Sequence, residues 1–184
     1  MDSILTALSN EKELIGLALA DPTSFAMLYD HYISRVYTYI RYRVDNATTA
    51  DDLTSQTFEN ALVNLKNYRM EQAPFSSWLF GIAHNVVSRH YRTQRRHQWL
   101  SLDRFLNHVS DTPPPEDIAI SNEISQRLTL AVGRLRDHER DIIALRFGAG
   151  LNNRQIAEIT NLSESNVGVI LYRSIKQLRV ILSE

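Results

Sequence analysis

Apolar residues recur every three or four positions along most of the chain, which predicts amphipathic helices and almost nothing else. A short helix is expected from Asn10 to Ala20, stopped by Asp21-Pro22, where Asp21 can cap and Pro22 enters the first turn of the next element. Phe25, Leu28, Tyr32, Val36, Tyr39 and Ile40 then predict a long helix from Ser24 to Val44, with Arg35, Arg41 and Arg43 outside its main stripe. A capping signal at Thr48 to Asp52 precedes Leu53, Thr57, Phe58, Ala61, Leu62 and Leu65 on one face, so another helix follows. Lys66 to Pro74 has no helical period and reads as a loop ending at Ala73-Pro74. The cleanest stripe is Phe75, Trp78, Leu79, Ile82, Ala83, Val86, Val87 and His90, and its helix continues outward as an arginine-rich arm.

From Gln98 to Asn122 the pattern dissolves into Ser, Asp and Asn with Pro113-Pro114-Pro115, the signature of a linker holding a short helical turn at Leu102 to Leu106. Ile124, Leu128, Ala131 and Leu135 restart a helix, and Asp137 is expected to cap another ending at Gly148 and Gly150. Between Asn152 and Arg179 the residues fit two helices and a tight turn. Asn152 caps the first with Gln155 reaching back, Asn161 takes the sharp turn, and Ser163 caps the second. Ile156, Ala157, Leu162, Val167, Ile170 and Leu171 fall where a helix-turn-helix buries its contacts. Val167, Leu171, Ile175, Leu178 and Leu182 form the inner stripe of the second helix. Asn166, Val169, Arg173 and Lys176 share its outer face, flanked by Ser165, Tyr172 and Arg179. Short polar groups in front could meet base edges and cations behind could meet phosphates, the layout of a recognition helix; a solvated helix closing a small bundle is the other reading of that face alone. The expected fold is all-α: a helical domain over 1–97, a flexible linker over 98–122 and a four-helix domain with the helix-turn-helix over 123–184.

Composition narrows the class. A chain of 184 residues suits two small cores. It has no cysteine, which excludes disulfides and thiolate-bound zinc. No apolar run approaches a membrane span and Met1 to Glu13 lacks a basic signal start, so a cytoplasmic protein without membrane insertion is expected. The net charge of -1 argues against tight DNA binding by the chain alone. Its distribution answers in part: Arg89, Arg92, Arg95 and Arg96 cluster without an acid, while Asp103, Asp111, Glu116 and Asp117 lie apart. Weak DNA binding and a second macromolecular partner are the expectation.

The candidates for other chemistry are few. Asp51, Asp52 and Glu59 could hold a metal or act as acid and base, but acids in a first helical turn complement the helix dipole and adjacent residues point about 100° apart. Docking a basic partner suits them better. His84, His90 and His97 are spaced too widely for an adjacent helical pair of metal ligands. No phosphate-binding glycine loop or serine nucleophile elbow occurs, so no enzyme, cofactor or metal is implied. Tyr68, Phe75, Trp78 and Tyr91 lie near the basic surface and could stack on unpaired bases, although core packing accounts better for Trp78.

The order of these parts resembles bacterial sigma factors of the extracytoplasmic-function (ECF) type across Asp21 to Leu182. Ala50-Asp-Asp-Leu-Thr-Ser-Gln-Thr-Phe58 resembles the family's core-polymerase-binding segment. Phe75-Ser-Ser-Trp-Leu-Phe-Gly-Ile-Ala-His-Asn85, followed by Tyr91-Arg92, resembles its promoter-melting and minus-ten segment, and Leu135 to Arg179 its minus-thirty-five domain. The resemblance implies a transcription initiation factor whose first domain docks on core RNA polymerase through Asp51, Asp52, Leu53, Gln56, Thr57, Glu59 and Asn60. It assigns minus-ten DNA to Asn67, Tyr68, Arg69, Asn85, Ser88, Arg89, Arg92, Arg95 and Arg96, and minus-thirty-five DNA to Arg154, Ser165, Asn166, Val169, Tyr172, Arg173 and Lys176. Promoter DNA and core polymerase are the implied partners, with an anti-sigma factor a family-level expectation. Four positions depart from the family pattern: Gln56 where relatives often carry an acid, Arg89 where an aspartate often precedes the paired aromatics, and Gly168 and Ile170 where cations are common. A stand-alone helix-turn-helix regulator on a palindromic operator and a protein-only adaptor are the competing classes, and neither needs the first domain's sequence of parts.

Overall fold

The computed structural model describes residues 11–100 and 119–183, with side chains placed over 11–96 and 126–183. Helix α1 (Glu11–Ala20) buries Leu14, Ile15 and Ala18. Asp21 then caps the short turn Pro22–Ser24, its Oδ1 accepting from the Thr23 amide at 3.0 Å. Helix α2 (Phe25–Arg43) buries the six apolar residues of the expected stripe and, beyond it, Arg43. Helix α3 (Ala47–Asn64) starts two residues earlier than the Thr48 signal suggests, because Asn46 in extended backbone accepts from the Thr49 amide at 2.7 Å. Its inner face adds Ala50 and Thr54 to Leu53, Thr57, Phe58 and Ala61, whereas Leu62 is left exposed.

The expected loop opens with a tight turn at Leu65–Asn67, and Tyr68 folds back inside, its hydroxyl donating to the Ala73 carbonyl at 2.9 Å. Tyr68, Phe75 and Trp78 pack ring on ring at centroid distances of 5.2 to 5.4 Å. Helix α4 (Phe75–Leu100) follows, running past His97. The proposed linker and its turn at Leu102 to Leu106 lie outside the described residues.

Helices α5 (Ala119–Gly133), α6 (Asp137–Ile143), α7 (Asn153–Thr160) and α8 (Glu164–Ser183) build the second bundle. Asp137 is not the cap of α6 but its first residue; Arg136 holds the cap position, with its amide donating to Glu139 Oε2 at 3.1 Å. Past Ile143 the helix widens into a π turn, Ala144–Gly148. The helix-turn-helix forms as its residues indicate. Asn152 and Gln155 exchange hydrogen bonds at 3.0 Å, Asn161 adopts φ 56 and ψ 39, and Ser163 Oγ accepts from the Asn166 amide at 3.2 Å.

The two bundles do not stand apart. Helix α2 lies between them, its Val36 and Ile40 in the first core and its opposite side against the π turn, so that the buried residues form one continuous cluster. Gly148 permits this approach: a Cβ there would lie 3.0 Å from the backbone N and Cα of Tyr39.

Candidate functional site

Three outward surfaces and one inward one carry the candidate side chains. On α3, Asp51, Asp52, Gln56 and Glu59 are exposed, and Asn60 is half-buried, leaving an acidic and polar strip along solvent. Leu53 and Thr57, which the resemblance adds to the docking set, point into the core with the apolar stripe they belong to; Thr57 is fully buried and its hydroxyl donates to the Leu53 carbonyl at 2.7 Å. Helical geometry explains the split, since positions 53 and 57 lie about 100° from their neighbours 52 and 56.

Around the loop, Asn67 and Arg69 are exposed, with the Arg69 guanidinium donating to the carbonyls of Lys66 and Tyr68 at 2.9 and 3.1 Å. Tyr68 is buried, so it braces the loop and offers no face to a base; burial and nearby Glu11 and Glu71 push its phenol up to about 12. Trp78 is half-buried in the same aromatic stack. Along α4, Asn85, Arg89, Arg92, Arg95 and Arg96 are exposed and Ser88 is half-buried. The helix thus presents a basic, solvent-exposed edge.

In the second bundle Ser165, Asn166, Val169, Tyr172, Arg173, Lys176 and Arg179 all face solvent on α8, with Val167, Leu171, Ser174 and Leu178 beneath them. Arg154 on α7 is exposed and sits 3.3 Å from Glu158. Gly168 has only the Asn153 amide nitrogen nearby, 3.8 Å from where a Cβ would be, so no internal packing demands a glycine there.

The inward surface escaped the sequence reading. Asp141 of α6 is buried between the bundles, accepting from the Tyr39 hydroxyl at 2.9 Å. Arg43 Nε lies 3.1 Å from one of its oxygens and His84 Nδ1 3.0 Å from the other, at ion-pair distance but off the line of well-aligned hydrogen bonds. Arg43 also pairs with Asp137 at 2.8 Å and donates to its carbonyl at 2.9 Å. Arg140 donates to the Tyr42 carbonyl and reaches Asp45 at 3.2 Å, and Arg35 donates to the Ala149 carbonyl. Gln155, besides closing its cap, donates to Ser77 Oγ at 3.0 Å across the bundles. Burial alone would raise the Asp141 carboxyl, but His84 and the Arg43 guanidinium together hold it below the usual range. Burial and the Asp141 charge push the Tyr39 phenol well up. The spacing of Arg35, Tyr39 and Arg43, four apart on one face of α2, was the available signal: a second helical stripe, polar rather than apolar.

Comparison with known proteins agrees with the order of these parts. Residues 28–97 match the family model for sigma-70 region 2, and residues 125–178 match that for sigma-70 region 4. The chain is 32% identical over 173 residues to the ECF RNA polymerase sigma factor BldN of Streptomyces coelicolor, covering 94% of this chain and 66% of that protein. It is 26% identical over 177 residues to the ECF RNA polymerase sigma factor SigW of Bacillus subtilis, covering 92% of this chain and 94% of that one. Among solved structures the fold matches CnrH in complex with the cytosolic domain of CnrY, at TM-score 0.72 and 20% identity over 95% of this chain and 98% of that one. It also matches the sigma factor RpoE in complex with the anti-sigma factor NepR from Bartonella quintana, at TM-score 0.73 and 18% identity over 88% of this chain and 98% of that one.

Proposed function

The chain belongs to the sigma-70 family, in its ECF branch, and on that premise we propose that it binds core RNA polymerase and directs it to promoters by reading two DNA elements and helping to open the duplex. The observation that carries this reading is the pairing, in one chain, of an exposed acidic helix face and basic loop-helix edge in the first bundle with an exposed recognition helix in the second. We assign polymerase docking to Asp51, Asp52, Gln56 and Glu59 with Asn60 at the edge, and minus-ten contacts to Asn67, Arg69, Asn85, Ser88, Arg89, Arg92, Arg95 and Arg96. Minus-thirty-five contacts fall to Arg154, Ser165, Asn166, Val169, Tyr172, Arg173 and Lys176. Residues 1–97, 98–122 and 123–184 serve as docking domain, linker and upstream-reading domain.

The chain's own residues bind and position DNA; the chemistry of RNA synthesis belongs to the polymerase. Unstacking bases costs a few kcal/mol, which stacking and backbone cations of the first bundle offset in part and the polymerase completes. Elements named minus-ten and minus-thirty-five lie about 25 base pairs apart, or roughly 85 Å at about 3.4 Å per pair. A compact chain of this length has a radius of gyration of about 16 Å. The closed arrangement therefore reaches one element at a time, and the bundles separate when the chain engages a promoter on polymerase. The chain works in the cytoplasm, where its DNA and polymerase are, and among the described residues no helix is long and apolar enough to cross a membrane. CnrH and RpoE were each solved with a bound protein, in the second case an anti-sigma factor, and we extend that class of restraint to this chain.

The test is transcription in vitro with purified core polymerase and a genomic promoter pool. Asp52→Lys is expected to abolish sigma-dependent transcripts by losing polymerase, and Arg173→Ala to lower them by weakening upstream contact. Full activity from both would overturn the assignments. Operator binding as a dimer, without polymerase, would favour the stand-alone regulator.

A further inference from the structure

The first two turns of α8, the part of a recognition helix that meets base edges, carry no lysine or arginine between Glu164 and Tyr172. The side chains these turns expose are Glu164, Ser165, Asn166 and Val169. Ser163 fixes the helix start by accepting from the Asn166 amide at 3.2 Å, and buried Val167 fixes its rotation. Asn166 and Val169 are thereby held outward on adjacent turns. Val169 is 46% exposed and Tyr172, one turn further, 72% exposed. Single apolar residues on a surface need no explanation, but these two lie side by side on the face that a helix-turn-helix presents to DNA.

Each base edge in the major groove has a matching side chain. Guanine is met mainly by arginine or lysine, adenine by the two-pronged amide of asparagine, and the thymine methyl by an apolar group. The front of α8 holds the second and third and lacks the first. Residues three apart on a helix are separated by about 4.5 Å along its axis, against about 3.4 Å per base pair, so their reach differs by one step. We infer that Asn166 and Val169 make the upstream element of this factor an A·T step, with the Asn166 amide on an adenine and the Val169 methyls on the thymine methyl of the neighbouring pair. Arg173, Lys176 and Arg179 behind them then hold phosphates. This rests on the sigma-factor reading and supplies its upstream specificity.

The test uses holoenzyme reconstituted from the full chain and purified core polymerase, with duplexes randomised across the upstream element. Selection is expected to enrich adjacent A·T pairs. Resynthesising the selected duplex with deoxyuridine for one thymine removes a single methyl and should weaken binding about fourfold, the affinity equivalent of one buried methyl group. Val169→Ala should weaken binding to the thymine duplex by a similar factor and no longer distinguish uracil from thymine, while Asn166→Ala relaxes the choice at the adenine. Both sites are exposed, so both variants fold. Enrichment of G·C pairs at that step, or a uracil effect that persists in Val169→Ala, overturns this inference and leaves the sigma reading standing. A pool from which holoenzyme enriches nothing over core polymerase alone overturns the sigma reading and this inference with it.

Discussion

The face between the bundles and the face of α8 invert the usual placement of charge. Arg35, Arg43 and Arg140, with Asp45, Asp137 and Asp141, are committed inward or at the seam, where each finds a partner on the other bundle. The outer face of α8 instead shows solvent a valine and a tyrosine. The ion pairs and hydrogen bonds of the seam can exchange their contacts for water, whereas the apolar contacts that α2 carries on into the second bundle hold the two together. An apolar reading face gains little from phosphates and discriminates by methyl groups. The chain thus joins a seam that is polar at its rim to an outer α8 face whose front carries no cation, and a net charge of -1 accords with weak DNA binding by the chain alone.

The comparison breaks most visibly at Asp141. Truncation to alanine leaves Arg43, only 4% exposed, without its buried counter-charge and Tyr39 without its acceptor. Removing one member of a buried pair typically costs about 3 to 5 kcal/mol. Asp141→Ala should therefore open the seam or, if the bundles stay together, lower the unfolding free energy by about 3 kcal/mol. The distance between fluorophores placed on α3 and α8, followed with denaturant titration, separates the two outcomes. Val169→Ala in the same assay should change neither reading by more than about 0.5 kcal/mol, because surface substitutions seldom do.

Gly148 probes the seam without touching its charges. An added methyl would sit 3.0 Å from the Tyr39 backbone, which cannot swing aside as a side chain can. Gly148→Ala should shift the closed form by about 1 to 2 kcal/mol toward the open one, leaving helix content unchanged by circular dichroism.

What the chain disclosed in advance follows from the range of the forces involved. Helix boundaries set by neighbours were legible: Asp21, Asn152 with Gln155, Asn161 and Ser163 each act within a few residues of themselves. At α3 the Thr48 signal misses the start, because Asn46, a stronger capping residue two positions earlier, takes the cap. The exposed strips on α3, α4 and α8 follow from helical period, and so does the burial of Leu53 and Thr57 on the apolar stripe; they and Tyr68 enter the contact sets only through the family resemblance, whose motifs mix core and contact residues in one run. The seam was hidden because its partners are far apart in sequence. Nothing local to Arg43 announces Asp141, and Gln155, whose capping role was plain, gave no sign of also reaching Ser77.

The smallest effect expected is that of acid on the seam. In the closed form Asp141 faces Arg43 and Tyr39 from α2 and His84 from α4, with Asp137 sharing Arg43 from its own helix. Burial opposes its charge, but His84 and Arg43 outweigh burial and hold its pKa below the ordinary carboxylate value. Once the bundles part, Asp141 meets water and returns toward that ordinary value. A carboxylate depressed in the closed form favours closure fully above its open-form pKa, and that contribution fades as pH falls through the lower, closed-form one. The same fluorophore pair should therefore report closure that is maintained into mild acid and loosens only below the ordinary carboxylate range, and His84→Gln should move the loosening to higher pH by removing one of the three groups, with Arg43 and Tyr39, that depress Asp141. A seam that loosens at the same pH with and without His84 would mean that Arg43 and Tyr39 suffice to set the Asp141 charge.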